Sequence, residues 1–177
     1  SLHAPANLSY RDDKLTNSLL SRIEDFYIES GAKLAVVHPD TVENWGVFDN
    51  YPSINWAIEN MDDRKEGYKD VNELKEFFVN HPKWNFVLDL GHCNANDKTM
   101  ALAEDLIKEL GHKVKEIHLS GYEVFHEPLY RTKQVEIIKY CKNLDAPIII
   151  ESTFEEVDGI FGVEKEFNYI LEKFRNL

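Results

Sequence analysis

Asn85-Phe86-Val87-Leu88-Asp89-Leu90-Gly91-His92 decides how the rest of the chain reads. A run of buried-strand character ends in a carboxylate, and an imidazole follows three positions later. A strand that ends in Asp-x-x-His brings two side chains able to bind metal or move protons to one end of a sheet. The same plan, an apolar run followed by His, Asp or Glu, recurs about six times along the chain.

Towards the N-terminus, Ile54–Asn60 carries Glu59, and Leu34–Val37 runs into His38-Pro39. Ser1–Ala6 reads as the tail end of a strand bearing His3. Towards the C-terminus, Val114–Leu119 carries His118, and Ala146–Ile150 runs into Glu151. Continuous apolarity, as at Leu34–Val37, suits a parallel strand covered on both faces. Helical spacing falls between these runs. Leu15, Leu19, Ile23, Phe26 and Tyr27 predict a helix stopped by Gly31. Asp70 caps a second through Val79, and Asn96 or Asp97 caps a third ended by Gly111. Thr132–Lys142 is the fourth. Val163–Phe174 is the last, with Phe167, Ile170, Leu171 and Phe174 on its packing side. Strands alternating with helices predict an α/β fold with a parallel sheet and right-handed crossovers.

In such folds the carboxyl ends of the strands open on one face, where active sites lie. His3, His38, Glu59, Asp89, His118 and Glu151 each sit at or just past such an end, and His92 and His126 fall in the loops that follow. Alone, each has a plainer reading. His38 before Pro39 is a satisfied polar group, Glu59 or Glu151 a helix cap or lysine partner, Asp89 a turn residue. One metal-binding residue type per strand end is the pattern that those readings leave unexplained. Converging carboxylates and imidazoles are costly unless a divalent cation neutralises them, and mixed N/O ligation suits Zn²⁺ or Mn²⁺, with Mg²⁺ a weaker match. His81 and His112 read as solvated, Cys93 as a small buried residue, and Trp45, Trp56 and Trp84 as core or pocket wall.

The 177 residues suit one domain, 1–177. A net charge of −12 and a pI near 5.0 disfavour non-specific nucleic-acid binding. Two distant cysteines suit a reducing cytoplasm, and no run is long enough to span a bilayer. A homo-oligomer is compatible with the sequence.

His3-Ala4-Pro5, Val36-Val37-His38-Pro39, Ile58-Glu59-Asn60, Leu88-Asp89-Leu90-Gly91-His92, Ile117-His118-Leu119 and Ile149-Ile150-Glu151 resemble, in order, the xylose isomerase-like TIM-barrel superfamily of sugar isomerases, epimerases and endonuclease IV-type abasic-site nucleases. The resemblance implies a (β/α)8 barrel of which this chain supplies about six of eight units. The strand ending at His3 resembles the family's third, which implies that two strand-helix units are missing. Truncation is favoured over an open barrel, whose parallel edge would lie unpaired.

The isomerase pattern implies one metal on Glu59, Asp89, His118 and Glu151. Glu59 and Glu151 would exchange a proton beside a substrate carbonyl, and His92 would contact the substrate. The nuclease pattern implies a first zinc on His3, His38 and Glu59, and a second on Glu59, Asp89, His118 and Glu151. It implies a third on His92, His126 and an Asp two residues before His126, where this chain has Val124. The expected activity is therefore a metal-dependent isomerase or epimerase of a small sugar or polyol. An abasic-site phosphodiesterase comes second, and a non-catalytic metal- or partner-binding descendant third.

Overall fold

The computed structural model describes residues 1–176. It contains one six-stranded parallel sheet in the order β1-β2-β3-β4-β5-β6. The strands are β1 Leu2–His3, β2 Ala35–Val37, β3 Trp56–Glu59, β4 Asn85–Asp89, β5 Val114–Leu119 and β6 Ile148–Ile150. The helices are α1 Lys14–Ser30, α2 Val71–Asn80, α3 Leu90–Asn96, α4 Ala101–Leu110, α5 Leu129–Thr132, α6 Val135–Lys139 and α7 Gly159–Asn176. No helix among the described residues is long and apolar enough to cross a membrane.

The sheet is curled. On a flat sheet β1 and β5 would lie about 19 Å apart, four spacings of about 4.8 Å, yet the rings of His3 and His118 have centroids 6.2 Å apart. The period-two alternation of strands sends Leu34, Val36, Ala57 and Val87 into the concave side, where they form a small apolar layer. Ala35, Val37, Ile58, Phe86, Leu88, Ile117 and Leu119 face the helices in a second, larger core. Apolar packing on both faces is the physical reason these strands read as unbroken apolar runs. Trp56 and Trp84 join Phe48 and Phe77 in the larger core.

Several elements depart from the sequence expectation. Asp89 caps a helix immediately, accepting from His92 N at 2.7 Å, so His92 lies in α3 and not in a loop. Gly91 permits this: a Cβ there would meet Ser120 Oγ at 2.8 Å. Asp97 accepts from Leu102 N across a turn that includes Met100 at φ 63°, and α4 starts only at Ala101. Of the helix expected over 132–142, α6 covers only Val135–Lys139, and Lys133 at φ 61° separates it from α5. A 3-10 helix at Trp45–Asn50 lies between β2 and β3. In α7 the buried line is Gly162, Glu166 and Ile170, spaced four apart, and Phe167 is exposed. His81 is half-buried and stacks on Phe77 with centroids 4.6 Å apart, so it is not a freely solvated group.

Candidate metal centre

Glu59, at the end of β3, is the hub. Its Oε2 lies 3.4 Å from His3 Nε2 and 3.3 Å from His38 Nε2. Its Oε1 lies 3.2 Å from His118 Nδ1, which is also 3.1 Å from Glu151 Oε1. Asp89 and His118 are direct register partners on β4 and β5. Beyond them, His92 Nε2 lies 3.1 Å from His126 Nε2 and 3.8 Å from Asp89 Oδ2. Three sets of ligand atoms thus converge: His3, His38 and Glu59; Glu59, Asp89, His118 and Glu151; and Asp89, His92 and His126. Neighbouring sets share Glu59 or Asp89.

Local structure aims these groups. Asn60, fully buried after β3, receives Asp89 N on its Oδ1 at 2.8 Å and donates to Asp89 O at 2.9 Å. Its carbonyl meets His92 Nδ1 at 2.8 Å, so that nitrogen carries the proton and Nε2 is left as an acceptor. Ser120 Oγ holds His126 Nδ1 at 2.9 Å. The Glu127 carboxylate accepts the backbone N–H groups of Glu123, Val124 and Phe125, which folds the loop tightly around His126 at φ 49°. Val124 points into solvent.

The charges are strongly coupled. Burial pushes the Glu59 carboxyl up, but the His118 charge and hydrogen bonds from His118, His3 and His38 outweigh it and hold the group well below its ordinary range. Burial opposes a charge on His118, yet Glu59, Glu116 and Glu151 raise it far above the usual imidazole value. Burial, reinforced by the charge of Glu59, pushes Asp89 well above the carboxylate range. His126 is lowered, chiefly by burial. The protonated forms of Asp89 and His118 are thus the ones favoured in the metal-free centre.

A divalent cation fits these residues. Asp89 Oδ2 is a buried polar atom without a partner among the described residues, and such an atom is costly to leave unpaired. The donors are the N/O mixture that zinc or manganese takes. An open cavity of about 600 Å³ lies over the sets. At its rim Arg64 pairs with Asp62 and packs 4.4 Å over the Phe125 ring, while Tyr122 donates to Asp62 at 2.9 Å. Burial raises Asp62, but Arg64 and Tyr122 lower it to about 2. The sequence reading passes over Asp62, Ser120 and the clamp at Asn60. It also passes over Glu116, a buried carboxylate 3.1 Å from His118 Nε2 that shares the strand parity of His118.

No family model and no curated protein matches the sequence. Solved structures do match its fold. Endonuclease IV from Thermus thermophilus superposes with a TM-score of 0.69 at 17% identity, over 97% of this chain and 75% of that one. The fold is that of the xylose isomerase-like TIM barrels. D-psicose 3-epimerase from Clostridium cellulolyticum, solved with D-tagatose, gives 0.61 at 12% identity, over 96% of this chain and 74% of that one. A sugar phosphate isomerase/epimerase from Parabacteroides distasonis gives 0.57 at 13%, over 94% and 70%. The six strands form a partial TIM barrel, and the candidate centre lies at its carboxyl-end face.

Proposed function

We propose that this chain is a metal-dependent phosphodiesterase whose centre takes more than one divalent cation. The observation that carries this reading is the chaining of three ligand sets through Glu59 and Asp89. A one-metal isomerase needs only Glu59, Asp89, His118 and Glu151. It leaves unexplained why His3 and His38 both close on Glu59 and why His92 and His126 meet ring to ring. The isomerase expectation rests on the Glu59, Asp89, His118 and Glu151 quartet, the acidic surface and Val124, and the chained ligand sets support the phosphodiesterase over it.

In this reading His3, His38 and Glu59 hold one cation, and Glu59, Asp89, His118 and Glu151 hold a second. His92 and His126 with Asp89 offer a third position, Asp89 standing in for the carboxylate absent at Val124. Bound cations would neutralise a phosphoryl group and ease deprotonation of the attacking water. Glu151 is the most exposed of its set, with a quarter of its side chain open to the cavity. It is placed to accept the proton of that water. The curl of the sheet and the buried clamp at Asn60 hold the donors in position before substrate arrives.

One observation favours the isomerase reading. The two cationic side chains that line the cavity, Arg64 and Lys65, are already paired with Asp62 and Asp40. A site that must grip a polyanion ordinarily offers free cations. In that reading Glu59 and Glu151 move the proton beside a sugar carbonyl.

The deciding experiment incubates zinc- or manganese-loaded protein with an abasic-site oligonucleotide and, separately, with ketoses in deuterated water. Strand cleavage that is lost in H38A supports the phosphodiesterase. Deuterium uptake into a ketose with no cleavage under any metal overturns it in favour of the isomerase.

A further inference from the structure

Glu116 sits where the fold calls for an apolar residue. In register it faces Val87, a member of the concave layer of Leu34, Val36, Ala57 and Val87. Only 4% of it is exposed. A carboxylate at such a depth is costly unless a partner holds it. Its partner is on the same face of the same strand, two residues on: Oε1 lies 3.1 Å from His118 Nε2.

The other nitrogen of that ring has a different environment. His118 Nδ1 points among Glu59 Oε1 and Glu151 Oε1, at 3.2 and 3.1 Å, where the ligand atoms of the second set converge. An imidazole can bind a cation through Nδ1 only if the remaining ring proton resides on Nε2. A carboxylate facing Nε2 accepts that proton's hydrogen bond and fixes the ring plane. Neither Glu59 nor Glu151 can do this, since both face Nδ1.

We propose that Glu116 is a positioning residue that keeps the His118 proton on Nε2, so that Nδ1 is presented to a metal ion. The inference rests on the reading of His118 as a ligand.

The test is nitrogen-15 NMR of histidine-labelled protein during zinc titration, with zinc affinity measured in parallel against a chelator. In the wild type, zinc should shift His118 Nδ1 while Nε2 stays protonated. E116A should bind zinc about 10–100-fold more weakly and lose the fixed Nε2 proton. E116Q, which keeps the shape and an acceptor oxygen, should fall between the two. If E116A does not fold, E116Q decides alone: at least about a threefold loss supports the proposal and wild-type affinity overturns it. Unchanged affinity and an unchanged His118 tautomer in E116A overturn the role of Glu116 and leave the metal reading standing. Zinc that leaves wild-type His118 unmoved overturns the metal reading, and the role of Glu116 with it.

Discussion

The Nε2 atoms of His92 and His126 lie 3.1 Å apart, and a proton that joins them has to come from His126. His92 commits its Nδ1 proton to the Asn60 carbonyl, so its Nε2 offers a lone pair. His126 Nδ1 meets Ser120 Oγ, which can donate or accept. Burial holds His126 below its ordinary value, so it is neutral near pH 7. Either His126 donates to His92, or both lone pairs turn to a shared cation. With zinc present the second arrangement should prevail. H126A should then retain about one equivalent less zinc than wild type after dialysis, as read by elemental analysis. Equal zinc content in the two proteins would remove this third position.

Asp89 carries a stability penalty that a metal would relieve. Its folded value is raised by burial and then by Glu59, so the stability it contributes is complete below the ordinary carboxylate value. That stability is lost as pH rises through the folded value. Asp89→Asn removes the ionisation, and it should stabilise the metal-free protein by about 1–3 kcal/mol in urea denaturation at pH 7. The same variant should lose the zinc-induced rise in stability, about 2.7 kcal/mol when zinc is at a hundred times its Kd. A metal-free D89N less stable than wild type contradicts this account.

Metal affinity should rise with pH. Asp89 and His118 hold protons in the metal-free centre, and both must be free of them at the ligating atoms for a cation to bind. Binding should therefore release about two protons, and affinity should increase about a hundredfold per pH unit where both groups are protonated. Calorimetry in two buffers of different ionisation heat reads the proton count directly. A proton count of zero, with affinity flat between pH 6 and pH 8, would show that the protons are not where the geometry puts them.

The strand ends were legible because a strand covered on both faces reads as an apolar run, and the first charged residue after it marks the open face. Glu59, Asp89, His118 and Glu151 stand out for that reason. Glu116 was legible in principle, since it shares the parity of His118 within Val114–Leu119, but one Glu in a strand reads as a solvent-facing residue. Asn60 acts through its amide and its main-chain carbonyl, and neither leaves a pattern in sequence. Phe167 misleads because the helical stripe that packs is set by Gly162, which has no room for a Cβ beside Phe154 and Asp158. That contact rotates α7 so that Glu166 points inwards and Phe167 outwards.

Glu166 is a buried carboxylate with three donors aimed at it: Leu129 N at 2.8 Å, Tyr130 N at 3.0 Å and Ser152 Oγ at 2.7 Å. Leu129 and Tyr130 open α5, just after the loop that carries His126, and Ser152 adjoins Glu151. One side chain on α7 therefore ties together two segments of the centre. Truncation leaves the donors unpaired in a site where water has no ready access, and each such loss costs about 1–3 kcal/mol. Glu166→Ala should destabilise the protein by about 3–5 kcal/mol in urea denaturation. Glu166→Gln, which keeps two acceptor lone pairs but not the charge, should cost about 1–2 kcal/mol. Because His126 and Glu151 belong to different ligand sets, the loosened E166Q protein should bind zinc more weakly at both. An E166A protein within about 1 kcal/mol of wild type would show that the two segments are held by other contacts.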